Sequence, residues 1–137
     1  MAESALGQLS APTLSDIEIL AHRAYAGLPP EFRALSGEVL IRVEDFPTDE
    51  VLDELGAETP FDLLGLFQGI GLAQDGAAPE TGRMPNMVFL YRRPMLDYWA
   101  ENEETLGAVV THVLVHEIGH HFGLSDADMA AIEAAAG

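Results

Sequence analysis

Cysteine is absent from the 137 residues. No disulfide can staple this chain and no thiolate can ligate a metal, so any metal must be held by imidazole and carboxylate. The absence is also compatible with a reducing compartment. Basic residues are scarce: Lys and Arg total six against 23 Asp and Glu, a net charge of −17. A surface of that sign repels phosphate backbones and anionic headgroups, which argues against nucleic acid and membrane as partners. The acidic excess has a plainer use as well, in keeping a small protein soluble. No apolar run approaches the ~20 residues that a membrane-spanning helix requires. No basic stretch followed by an apolar core opens the chain, so no secretory signal is visible and a cytoplasmic location is expected.

What is present reads as one globular domain. Hydrophobic residues make up 48% and charged residues 21%, proportions of a folded rather than a disordered chain. Residues 1–12 are small, polar-leaning and aperiodic, which predicts a flexible N-terminal tail ahead of a single domain over residues 13–137.

The pattern along that domain mixes helices and strands. A helix is expected from Ser15 to Ala26, with Ser15 and Glu18 as a capping box and Gly27, Pro29 and Pro30 as its stop. Ile17, Leu20, Ala21 and Ala24 form its apolar face. Val39 to Glu44 alternates as a half-buried strand, with Val39, Ile41 and Val43 inward. Thr48 caps a short helix to Leu55. Leu63 to Ile70 reads as a short or bulged strand, and Gln74 to Met84, rich in Gly, Ala and Pro, as a long loop. Met87 to Arg92 is a strand ended by Pro94, and a short helix follows over Leu96 to Ala100. A long helix spans Glu103 to Phe122. The last helix, Ala127 to Ala136, is capped by Ser125 or Asp126.

The chemistry is concentrated between His116 and Asp126, which read His-Glu-Ile-Gly-His-His-Phe-Gly-Leu-Ser-Asp. His116 and His120 stand four apart, so on a helix they share a face and can grip one Zn²⁺ at roughly 2.0–2.1 Å each. Glu117 lies about 100° further round, given 3.6 residues per turn. It is badly placed as a third ligand from that face but well placed to reach water at the metal. Gly123 can leave the helix with positive φ and swing Asp126 back towards the histidines. Two His, one carboxylate and an open position are the inventory of a catalytic zinc site. Asp128 and Glu133 compete with Asp126 as the third ligand. The run Leu106 to Val115 is nearly all apolar, so the helix is buried on most sides, where imidazoles and carboxylates need partners. His112 extends the histidine stripe by one turn, as a supporting residue or a substrate contact. His121 points away towards other structure, with a backbone carbonyl as its expected partner, and His22 is expected in solvent.

The string from His116 to Asp126 resembles the metzincin motif with Asp in place of the usual third His. Extended through Ala127, Asp128 and Met129, it resembles the small bacterial zincin-like metallopeptidase family. Asp62-Leu-Leu-Gly-Leu-Phe-Gln-Gly69 and Met87-Val-Phe-Leu-Tyr-Arg-Arg-Pro94 fit the same family, so the resemblance runs from about Leu14 onwards. It implies an α+β, single-domain minimal zincin-like fold, with a small sheet packed on a buried active-site helix. It further implies one Zn²⁺ per chain on His116, His120 and Asp126, with Glu117 as general base; it supplies no substrate, and a peptide or protein is the substrate expected of such a site. Met87 to Arg92 would then be the edge strand of the cleft. Met129 stands too close to Asp126 to match the methionine turn of larger metzincins. Two other functions share these residues: a zinc-bound peptide-binding module without proteolysis, and an amidohydrolase acting on a small amide. A pure binder has no need of Glu117.

Overall fold

A computed structural model describes residues 7–69 and 86–136. The expected loop from Gln74 to Met84 lies outside the described residues. The first helix, α1, spans Leu14–Ala26. Its cap is Thr13, two residues ahead of the expected Ser15. Thr13 Oγ1 accepts from the Asp16 N–H at 3.1 Å, and Asp16 returns the bond to the Thr13 N–H at 2.9 Å. Two capping boxes of equal spacing overlap in the sequence, and the earlier one is made. A second helix, α2 (Pro30–Ser36), stands where the paired prolines suggested only a stop. Pro30 occupies its first position, where the fixed φ suits a helix and the missing N–H is not needed. This turn buries Phe32 and ends at Gly37, whose φ is 67°.

Strand β1 (Val39–Glu44) and helix α3 (Asp49–Leu55, capped by Thr48) follow the expected pattern. Strand β2 is Gly65–Gln68 and β3 is Asn86–Tyr91. The sheet order is β1-β3-β2, with β1 parallel and β2 antiparallel to β3. This corrects the expectation for Met87 to Arg92: β3 is the central strand, and β2 is the edge strand beside the long helix. A nearly continuous apolar strand is what a central position calls for.

Pro94 does not end β3 at a distance. It sits third in helix α4 (Arg92–Glu101), among the first-turn positions that have no intrahelical N–H partner. Arg92 donates to the Pro12 carbonyl and pairs with Asp45 at 2.9 Å, so it ties three segments together.

Helix α5 spans Leu106–His121 and begins later than expected, because Thr105 caps it by accepting from the Ala108 N–H. Glu103 and Glu104 precede the cap. Helix α6 spans Asp126–Ala135, and its cap is Ser125, in a box with Asp128.

The strands alternate inside and out. Ile41 and Val43 of β1 lie in register with Val88 and Leu90 of β3, and this face meets α1 and α5. Ile17, Ala21, Val88, Leu90, Val110, Leu114 and Ile118 close the core with no exposed surface. The result is a small α+β domain on a three-stranded mixed sheet. Among the described residues, no helix is long and apolar enough to cross a membrane.

Candidate metal centre

Helix α5 is buried on every side but one. Val109, Val113 and Val115 join Val110, Leu114 and Ile118 in the core. His112 and His120 are exposed, and His116 and Glu117 are half-buried. The histidines recur every fourth residue and therefore stack along the open stripe. Their ring centroids are 4.0 Å apart for His112 and His116, and 5.5 Å apart for His116 and His120.

The chain then reverses at Gly123, whose φ of 77° is the left-handed conformation that favours glycine. The Gly123 N–H bonds the His120 carbonyl at 3.1 Å, and the Leu124 N–H bonds the Gly119 carbonyl at 2.9 Å. This turn sends α6 back along α5, and α6 brings two carboxylates to the histidine stripe. Asp126 Oδ1 is 4.0 Å from His120 Nε2. Glu133, two turns further on, has Oε1 2.9 Å from His112 Nδ1 and Oε2 3.3 Å from His116 Nε2.

Two groups of donors result, each with its atoms within 4.8 Å of one another: His116, His120 and Asp126, and His112, His116 and Glu133. Of the three carboxylates weighed for the third position, Asp128 is occupied elsewhere, accepting from the Ser125 N–H in the α6 cap. The first group fits a zinc ion by its chemistry. It offers two neutral-capable imidazoles and one carboxylate, the nitrogen and oxygen donors that zinc takes in the absence of thiolate. His121 does not bond a backbone carbonyl among the described residues; its ring lies 4.1 Å from that of Phe67. His22 is exposed, as expected.

Glu117 faces the sheet edge. A Cβ on Gly65 would come within 2.8 Å of Val113 Cγ1, 3.0 Å of the Phe89 carbonyl and 3.2 Å of Glu117 Cγ. Glycine at that point lets β2 lie directly against α5, and this contact takes water away from Glu117. Burial pushes its carboxyl from the ordinary 4.5 to about 7. A carboxyl so placed can both hold and release a proton near neutrality. Tyr91, to which the sequence reading gave no role, is buried at the end of β3. Burial first, then the charges of Glu44 and Glu117, push its phenol up to about 12. It therefore stays a neutral phenol beside Glu117. No sequence signal could have found this, because nothing in the strand pattern says which helix residue's charge it feels.

The Glu117 shift has a consequence for metal-free protein. At Glu117 the folded state binds a proton more tightly than the unfolded chain, so the contribution of this group to stability is greatest below about pH 4.5 and declines as pH rises to about 7. The decline is on the order of 2 kcal/mol, after allowance for solvent screening at a half-buried group. Urea denaturation of the metal-free protein at pH 5 and pH 8 measures it, and Glu117→Gln should shrink the difference between the two. An equal difference in both proteins would show that Glu117 is not desolvated.

A family model described as zincin-like metallopeptidase matches residues 36–136. The match takes in the sheet, the histidine stripe and α6, and begins after α1. No curated protein matches the chain. By the extent of that match the chain belongs to the zincin-like metallopeptidase family, which implies a zinc cofactor and hydrolase chemistry.

Proposed function

We propose that this protein is a zinc-dependent peptidase, with one zinc ion on His116, His120 and Asp126 and Glu117 as the general base. The observation that carries the reading is the meeting of those three donors, within 4.8 Å of one another, beside a half-buried carboxyl raised to about 7. When bound, zinc supplies Lewis acidity and makes water at the site more acidic. Glu117 does the proton work: its carboxylate accepts a proton from the attacking water and returns it to the leaving amine. The wall formed by β2 and Val113 takes bulk water away from Glu117, and in the metal-free protein this burial raises its carboxyl to about 7.

A peptide suits the cleft for a structural reason. Among the described residues β2 is an edge strand of the sheet, paired with β3, and it lies alongside Glu117. An extended peptide can pair with such an edge through backbone bonds, which give affinity without a demand on side-chain identity. The acidic surface favours basic segments in the approach.

Incubating zinc-loaded protein with a proteome-derived peptide library, and following new termini by mass spectrometry, tests the reading. Cleavage that stops on chelation and returns with zinc is the expected result. Elemental analysis after dialysis should give about one zinc per chain. His116→Ala should cause the greatest loss of zinc, because His116 belongs to both donor groups, and Asp126→Ala should weaken binding more than Asp128→Ala. Intact peptides throughout, with zinc bound, would overturn peptidase activity while leaving the metal site.

A further inference from the structure

The stripe on α5 holds two overlapping pairs of histidines with the same spacing. His116 and His120 form one, and His112 and His116 form the other. Helix α6 supplies one carboxylate to each, Asp126 at one end and Glu133 seven residues on. The Glu133 group is the tighter of the two. Each carboxylate oxygen already faces an imidazole nitrogen, at 2.9 and 3.3 Å, whereas Asp126 stands 4.0 Å from His120. It is also the more sheltered: the Glu133 side chain is 26% exposed and that of Asp126 93%. Imidazole nitrogen and carboxylate oxygen at these separations are a ligand set for zinc and its neighbours among the divalent transition metals.

We infer that His112, His116 and Glu133 form a second divalent-metal position, one helical turn from the site proposed above. It rests on that reading only in sharing His116. A neutral imidazole offers a metal only one nitrogen lone pair, its other nitrogen carrying the proton, so with His116 neutral the two positions exclude each other. An ion held at the second position lies towards the Glu133 end of the stripe, away from Asp126. The second position takes the ion when the first is short of donors.

Zinc titration of the full-length protein, followed by calorimetry, and by Co²⁺ absorption as a spectroscopic check, tests this. Wild type should bind one equivalent. The double variant His120→Ala/Asp126→Ala should still bind one equivalent of Zn²⁺, more weakly. That residual binding should vanish when either His112→Ala or Glu133→Gln is added, with the fold verified for each variant by circular dichroism. A folded double variant that binds no metal would overturn the second position and leave the proposed catalytic set standing. Residual binding indifferent to both His112→Ala and Glu133→Gln would also overturn it. If instead wild-type binding were unaltered by His120→Ala/Asp126→Ala and lost in Glu133→Gln, the second position would stand and the ligand set proposed above would fall.

Discussion

Glu117→Gln is expected to leave zinc stoichiometry and fold intact and to cut peptide hydrolysis by about 10²–10⁴-fold, the range for loss of a general base. The substitution keeps the shape of the side chain and its packing against Gly65 and Val113. It replaces a carboxylate with an amide, whose oxygen is too weak a base to take a proton from water. The fold should tolerate it, because what is buried there is an ionisable carboxyl that burial already disfavours as an anion. Glutamine carries no such penalty. Elemental analysis, circular dichroism and single-turnover cleavage followed by mass spectrometry separate the three readouts. Loss of zinc in this variant would make Glu117 a ligand or a structural support, and the mechanism would then need another base. Unaltered cleavage with zinc retained would remove Glu117 from the chemistry altogether.

The motif was legible in the sequence because its parts are local. His116 and His120 are brought together by helical periodicity alone, and the turn that returns Asp126 needs only the positive φ of Gly123, three residues away. Caps were less legible. Thr13 and Ser15 offer the same pattern two residues apart, and the chain can satisfy only one. The helix at Pro30 was hidden because proline stops one helix and starts another with the same ring. What the sequence could not give were relations between elements. Whether β3 is central or peripheral depends on pairing with β1 across more than forty residues. That Glu133 reaches His112 and His116 depends on the crossing of α5 and α6. The residue pattern placed Glu133 among the candidates without saying which histidines it would meet.

The same crossing rests on a residue inside the motif that its spacing leaves unspecified. Gly119 lies between Glu117 and His120, and α6 packs on it through Met129, a side chain with no exposed surface. A Cβ at Gly119 would stand 2.5 Å from Met129 Sδ and 2.8 Å from Met129 Cγ. A methionine side chain can yield, but this one is enclosed, so a larger group at 119 must move the helix that carries it. Gly119→Val should therefore destabilise the fold by on the order of 2–3 kcal/mol, a lowering of Tm by about ten degrees. Zinc affinity should fall with it, because displacing α6 carries Asp126 and Glu133 away from the histidines. Met129→Ala leaves room at the contact, at the expense of a cavity. In that background Gly119→Val should cost at least 1 kcal/mol less, a coupling within the range for residues in direct contact. Thermal melts and zinc titrations of the two single variants and the double complete the cycle. If Gly119→Val melts and binds zinc as wild type does, Met129 does not set the position of α6, and the two carboxylates are held by the Gly123 turn alone.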